Sequence, residues 1–265
     1  MKSYILGDSL ALFGRHMTLL KRAPQRILHV TLMPIMFVIL FGYLFGSSMT
    51  VPSGDYHSYI MAGVFIQIML ASVVNTGVGV ATDLKNGLVD RFRSLPMAQV
   101  SVLLGRTFSD VLLNVISCVL MLSVGLVIGW RIESNVIKAT EGFLLVLLLG
   151  FTMTWIGCMI GLLVREPQGV NAVAMMVTMP STFLSSTFYP LNNLPDWLQA
   201  IAQWSPMTTV ATALRELWGN PTGNGADPAL PLRYPVLSSA LMLSALLVVV
   251  IPLTTRAYDR AARKG

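Results

Sequence analysis

Hydrophobic residues form long runs along this chain, and short charged stretches separate them. Six runs are about 20 residues long or longer, at 27–47, 58–80, 102–129, 142–164, 170–189 and 236–255. A helix of about 20 apolar residues crosses the roughly 30 Å hydrocarbon layer of a bilayer. The runs lack the alternation of polar and apolar residues that marks the strands of a membrane barrel. The pattern therefore predicts an all-α integral membrane protein with six transmembrane helices.

The overall composition agrees with a membrane domain and excludes a soluble one. The chain is 54% hydrophobic and 11% charged, with a mean hydropathy of +0.69. We interpret residues 1–265 as a single membrane domain. Residues 1–26 form a cytoplasmic interfacial segment, 27–255 hold the six spans, and 256–265 form a cytoplasmic tail. Within the first segment, 3–22 has an apolar stripe typical of a helix that lies on the membrane surface.

The net charge of +6 is explained by its distribution rather than by a nucleic-acid partner. Fourteen of the 18 basic residues fall before the first run, between the second and third or in the first turns of the third, between the fourth and fifth, or after the sixth. The other four are Arg131, Lys138, Arg215 and Arg233. Because basic residues accumulate on the cytoplasmic side, both termini and residues 83–96 are predicted to be cytoplasmic, in a multi-pass protein of the plasma membrane.

The charged stretch 83–96, between the second and third runs, has the pattern of a short amphipathic helix. Asp83 is suited to cap its start, and Pro96 ends it because proline excludes the preceding residue from the helical region. One face is apolar, formed by Leu84, Leu88, Phe92 and Leu95. Such a helix is suited to press on a partner outside the membrane. The alternative is an ordinary basic cytoplasmic loop.

Few polar residues occur inside the runs. Arg106 and Asp110 are four residues apart, which predicts a structural ion pair rather than a proton relay, since no other run holds a second buried acid. Cys118 and Cys158 lie in apolar runs and act as small hydrophobic residues. Gln67, Asn75 and Thr76 either face other helices or line a path, and the sequence leaves both open.

Two short helical patterns separate the fifth and sixth runs. Pro195 opens the first, which includes Trp197, and Pro206 opens the second just after Trp204. Neither is long enough to span a bilayer, so they are predicted to be re-entrant or interfacial pieces on the outer side. The alternative is an outer loop that lies on lipid.

No motif in the sequence supports catalysis by this chain. It has no P-loop of the form G-x-x-x-x-G-K-[ST], no H-E-x-x-H, no G-x-S-x-G and no clustered metal ligands. The chain is therefore predicted not to be an enzyme and to bind no cofactor or metal itself.

The charged stretch and the outer region together resemble a known family. Residues 83–97, DLKNGLVDRFRSLPM, resemble the cytoplasmic loop of ABC-2 type permeases, most closely the daunorubicin/doxorubicin resistance exporter group. The order FYPL at 188–191, LPDWL at 194–198 and SPMT at 205–208 is similar to that family's outer region. The first motif is fairly specific and the second is looser. The resemblance implies the six-helix architecture of the type V ABC exporters.

The resemblance also implies a role and partners. The loop would be the coupling helix that docks on a separate nucleotide-binding ATPase subunit, present in two copies that hold ATP and Mg. Its residues would be Asp83, Leu84, Lys85, Gly87, Leu88, Asp90, Arg91, Phe92, Arg93, Ser94, Leu95 and Pro96. A second permease, as homodimer or heterodimer, would complete a path for an amphipathic drug, polyketide or lipid-like molecule.

Two other classes of function remain as alternatives. A secondary transporter or channel that works alone would require paired buried ions or inverted halves, and neither is evident in the sequence. A membrane scaffold without transport activity is also compatible with it.

Overall fold

The computed structural model describes residues 32, 35–36, 38–40, 56–86, 99–191, 194–222 and 229–264, which form helices and loops without a strand. The helices are α1 (Tyr56–Lys85), α2 (Gln99–Ile128), α3 (Val136–Val164), α4 (Pro167–Phe183), α5 (Asp196–Gln203), α6 (Pro206–Trp218), α7 (Leu230–Arg233) and α8 (Pro235–Lys264). The all-helical prediction is confirmed for this part of the chain. The interfacial segment, most of the first run and residues 87–98 lie outside it.

Four of these helices are long and apolar enough to cross a membrane. They are Tyr56–Lys85, Gly105–Ile128, Val136–Val164 and Pro235–Tyr258. They correspond to the second, third, fourth and sixth predicted runs. In α8 the helix continues to Lys264, through most of the predicted tail.

The fifth run differs from its prediction. It was expected to span 170–189, but α4 ends at Phe183 and has 17 residues, a length of about 26 Å. Beyond it, the Ser185 hydroxyl donates to the Thr182 carbonyl at 2.6 Å. Such side-chain bonds compete with the helical backbone pattern, so the chain turns here and the six-span count is not reached by the described residues.

Helices α1 and α3 form the centre of the bundle. In their most apolar stretches, 67% and 61% of the residues are buried, against 28% in α2 and 22% in α8. Glycines bring the two backbones together: a Cβ added at Gly157 would lie 2.6 Å from the Val73 carbonyl oxygen, and one at Gly161 would lie 2.5 Å from that of Gly77. The spacing of Gly157 and Gly161 therefore serves close helix packing.

The remaining helices pack around this pair. Helix α2 contacts α1 and α3, α4 packs mainly on α1, and α8 covers α3 and α6. We call the end that holds Lys85 and the α3–α4 turn the Lys85 end, and the opposite one the Tyr56 end.

Aromatic rings fill the core at the Tyr56 end. The Trp218 ring centroid lies 5.0 Å from that of Phe65, 5.3 Å from that of Trp130 and 5.4 Å from that of Phe143. The Trp130 indole also donates to Asn220 Oδ1 at 3.0 Å. These contacts hold the end of α6 and the α2–α3 loop against α1.

Candidate coupling end and a buried arginine

The predicted coupling stretch begins inside α1 rather than after it. The sequence predicted that Asp83 caps a separate helix, but α1 continues to Lys85, so Asp83 lies in its last turn. The Asp83 carboxylate instead contacts an arginine of α2. From Gly87 to Pro96, the stretch lies outside the described residues.

Leu84 and Lys85 contact the bundle itself. Leu84 packs against a small buried cluster that includes Cys158, Leu162 and Tyr258. The Lys85 ammonium lies 3.3 Å from Glu166 in the α3–α4 turn, with side chains 61% and 56% exposed. Such exposed ion pairs add little stability. The contact shows that the α3–α4 turn lies beside the end of α1, but it contributes little to holding the turn there.

Arg106 joins α2 to the end of α1. Its Nη1 contacts Asp83 Oδ2, and its Nε lies 3.9 Å from Asp110 Oδ2. The sequence predicted the pairing of Arg106 with Asp110, but the structure adds Asp83 as the nearer partner. The Arg106 side chain is only 13% exposed. Gly79 provides its space, since a Cβ there would lie 1.8 Å from Arg106 Nη2.

Two further polar contacts continue this pairing toward the middle of α1. The Thr76 hydroxyl donates to Asp110 Oδ2 at 2.8 Å, and the Ser72 hydroxyl donates to Asn114 Oδ1 at 2.8 Å. We call the Asp83–Arg106, Thr76–Asp110 and Ser72–Asn114 contacts the polar ladder. It follows the antiparallel pair α1 and α2 from Ser72 to Asp83 of α1, a rise of about 16 Å.

The sequence left open whether the polar residues of α1 face other helices or line a path. The contacts of these residues answer part of this question. Thr76 is buried and belongs to the ladder. Gln67 instead accepts a hydrogen bond from Thr182 of α4 at 3.2 Å. Asn75 is exposed on the surface of α1.

The two short helices at the Tyr56 end differ in their environment. Pro195 is the residue before α5 and Pro206 is the first residue of α6. Trp197 and Trp204 are 68% and 58% exposed. In contrast, α6 is buried on nearly all sides, and among its residues from 207 to 218 only Glu216 is exposed.

The sequence did not identify Arg215 in α6, the most buried charged residue in the described part of the chain, which is 0% exposed. Its guanidinium donates to the carbonyl oxygens of Tyr59 (3.0 Å), Ser186 (2.8 Å) and Thr187 (3.1 Å), and to the Ser186 hydroxyl (3.4 Å). It also lies 3.5 Å from the centroid of the Tyr59 ring. One side chain thus joins α6, the start of α1 and the turn after α4.

A sequence signal for Arg215 existed but was weak. By charge distribution it is only one of four basic residues on the outer side. Its helical neighbours at i−4 and i+3 are Ala211 and Trp218, both fully buried. An arginine with apolar neighbours one turn away on each side lies on an apolar face, and a buried arginine needs several acceptors.

Comparison with known proteins identifies the family. A sequence model of the ABC-2 type transporter family matches residues 9–217 of the chain. The chain belongs to the ABC-2 type transporter family. The resemblance in the sequence is thereby confirmed.

Several relatives of this ABC-2 protein carry the name permease. The chain is 33% identical over 245 residues to the daunorubicin resistance ABC transporter permease protein DrrB1 of Streptomyces coeruleorubidus, covering 92% of this chain and 83% of the relative. It is 26% identical over 204 residues to the doxorubicin resistance permease DrrB of Mycobacterium tuberculosis, 77% and 71% of the two chains. To the probable doxorubicin resistance permease DrrC of that organism it is 23% identical over 193 residues, 71% and 68% of the chains.

Family membership and the apolar helices together define the class of this protein. It is a multi-pass membrane protein and a permease subunit of an ABC transporter. Membership in the ABC-2 family implies an ATPase subunit as partner.

The structure brings only some of the predicted site residues together. Asp83, Arg106 and Asp110 meet at the Lys85 end. Pro195, Trp197, Trp204 and Pro206 lie at the opposite end, around α5 and α6.

Proposed function

We propose that this ABC-2 permease exports an amphipathic drug, polyketide or lipid-like molecule from the cell, driven by ATP hydrolysis on a separate subunit. The observation that carries the proposal is the 33% identity to a daunorubicin resistance permease over 92% of the chain. Export of this kind would confer antibiotic resistance or move lipid. ATP and Mg would be held by the partner, because this sequence has no P-loop.

The ATPase contact in this proposal is the coupling helix that follows Lys85. Helix α1 ends at Lys85 and α2 begins at Gln99, so the residues between them return the chain to the same end of the bundle. Leu88, Phe92 and Leu95 would be the apolar anchors. Burial of one such side chain contributes about 1.5–3 kcal/mol, so a few anchors suffice to transmit motion without permanent binding. Arg91 and Arg93 would pair with acidic groups of the ATPase.

The arrangement in the membrane follows from the charges. The Lys85 end and both termini would face the cytoplasm, where basic residues accumulate, and α5 and α6 would form the re-entrant region on the outer side. Burial of α6 within the protein supports a re-entrant position, because backbone breaks at membrane depth are tolerated only where protein surrounds them. Two permeases, identical or different, and two ATPase subunits would form the complete exporter.

Reconstitution in lipid vesicles tests this proposal. The purified permease alone should hydrolyse no ATP. Together with its P-loop ATPase partner, the permease should support ATP hydrolysis that rises with daunorubicin, after which the Streptomyces relative is named, or with another amphipathic compound in a panel. An ATPase variant without its P-loop lysine is the control. Transport by the permease alone would contradict the proposal and favour a secondary transporter.

A single substitution tests the coupling helix. Phe92→Asp should leave the permease inserted and assembled but should separate ATP hydrolysis from transport, because a charge replaces an apolar anchor. Phe92→Leu keeps an apolar side chain and should retain coupling. The measurement is molecules transported per ATP hydrolysed. If Phe92→Asp transports as the wild type does, Phe92 is not an anchor.

A further inference from the structure

One ion pair joins a residue just before the proposed coupling helix to a residue shortly after it in the sequence. Asp83 is in the last turn of α1 and Arg106 is in the first turns of α2, 23 residues later. We propose that this pair is a positioning element that fixes where the coupling helix leaves α1 and rejoins α2. Asp83 then acts through Arg106 and does not itself touch the ATPase. This inference rests on the proposed function.

The surroundings of Asp83 support an internal role. Its carboxylate is turned toward α2, where it contacts Arg106, and the side chains of Arg106 and Asp83 are 13% and 39% exposed. The neighbouring Lys85–Glu166 pair has side chains more than half exposed. Solvent and salt screen a shielded pair less than an exposed one. Of the two, the Asp83–Arg106 pair is therefore the one able to hold the helix ends.

The polar ladder extends this connection into the bundle. Below Asp83 and Arg106, Thr76 bonds to Asp110 and Ser72 bonds to Asn114. Both contacts join α1 to α2, so the two helices that carry the coupling helix are tied at three levels. A push on the coupling helix is then delivered to both helices together, because neither end can shift alone without breaking a buried or partly buried polar contact.

Gly79 indicates that the arginine has a defined place on α1. A Cβ at this position would lie 1.8 Å from Nη2 and 2.8 Å from Cζ of Arg106. Both atoms are at the far end of a flexible side chain, so Gly79→Ala should displace the guanidinium while the helices stay packed. This substitution perturbs the pair and leaves every charge in the protein unchanged.

A double-mutant cycle on the complete exporter tests the proposal. The variants are Asp83→Asn, Arg106→Gln and the two combined, and the readout is molecules transported per ATP hydrolysed. Each single change should lower this ratio by about fivefold, which corresponds to about 1 kcal/mol and lies within the range of coupling energies between residues in contact. The combined variant should be no worse than either single change, and Gly79→Ala should lower the ratio in the same way. The KM for ATP should stay unchanged in all of them.

The control and the contrary results are defined by the same assay. Lys138→Gln combined with Glu141→Gln changes one base and one acid on the exposed start of α3 and should have no effect. If the losses of Asp83→Asn and Arg106→Gln multiply in the combined variant, the two residues act separately and the proposal is wrong. The proposal is also wrong if each single variant transports as many molecules per ATP as the wild type.

A second measurement separates this inference from the proposed function. A nitroxide on Asn86→Cys reports the motion of the chain directly after α1, and labelling is selective because Cys118 and Cys158 are buried. In the purified permease, Arg106→Gln and Gly79→Ala should each increase the mobility of the label. An unchanged spectrum overturns the positioning role, whether or not the exporter transports any tested compound.

Discussion

The buried arginine at the Tyr56 end allows a sharp prediction about stability. We expect Arg215→Lys to destabilise the protein more than Arg215→Met, although lysine keeps the charge. The guanidinium makes four hydrogen bonds to Tyr59, Ser186 and Thr187 from three different nitrogens. A lysine ammonium is a single point from which these spread acceptors cannot all be reached.

The magnitude follows from the number of bonds. Hydrogen bonds of a charged group contribute about 1.5–3 kcal/mol each. If the lysine keeps two of the four hydrogen bonds, the protein loses about 3–6 kcal/mol of stability, and the charge is still buried. Methionine removes the charge and its desolvation cost together. In Arg215→Met the Ser186 carbonyl still accepts a hydrogen bond from the Tyr59 hydroxyl. The Thr187 carbonyl loses its guanidinium donor, which costs about 1–3 kcal/mol of stability.

Thermal unfolding of the purified permease in detergent measures the difference. A change of 1 kcal/mol shifts the midpoint by about 2–4 °C in a chain of this size, so Arg215→Lys should lower it by at least about 6 °C. Arg131→Lys is the matched control, since Arg131 also donates to carbonyls, at 2.6 Å to Leu126 and 2.9 Å to Trp130, but is exposed. It should shift the midpoint by less than about 2 °C.

Two results would refute this reasoning. If Arg215→Lys is as stable as the wild type, the fork of donors is not what holds the turn after α4. If Arg215→Met is the less stable of the two, the buried charge itself is required, and the acceptors must then attract a cation of any shape.

Three further predictions concern packing and surface charge. Gly157→Val should lower the thermal midpoint, because its Cβ would meet a backbone carbonyl of α1 at 2.6 Å and such overpacking costs about 1–3 kcal/mol. Asn220→Leu should cost about 1–3 kcal/mol by removing the acceptor of the Trp130 indole, and tryptophan fluorescence during unfolding should report the earlier transition. Glu166→Gln should leave the midpoint within about 2 °C, because the pair with Lys85 is exposed.

The long helices could be predicted from the sequence because their length follows directly from the bilayer. The runs at 58–80, 102–129, 142–164 and 236–255 all correspond to helices of sufficient length. Their ends were less predictable. The sequence ended the second run at 80, whereas α1 continues to Lys85. Hydrophobicity marks where lipid ends, but a helix continues as long as its polar residues find partners, as Asp83 does in Arg106.

Contacts between distant residues were the part that sequence could not provide. The i,i+4 spacing of Arg106 and Asp110 is visible in one helix, whereas the contact with Asp83 depends on how α1 and α2 face each other. The contacts of Arg215 could not be predicted either, because three of its acceptors are backbone carbonyls, which every residue has. The turn after α4 likewise depends on that arginine.

Both polar constellations share α1, and this restricts how the bundle can move. Near its start, the Tyr59 carbonyl accepts from Arg215, and near its end Asp83 pairs with Arg106. Successive residues of a helix point about 100° apart, so a rotation of α1 by one residue would separate both contacts and the glycine packing on α3 at once. The fully buried Arg215 would then lose an acceptor inside the protein, at a cost of about 1–3 kcal/mol. We therefore expect α1 to keep its orientation against α2, α3 and α6, and conformational change to involve helices that make fewer such contacts with it.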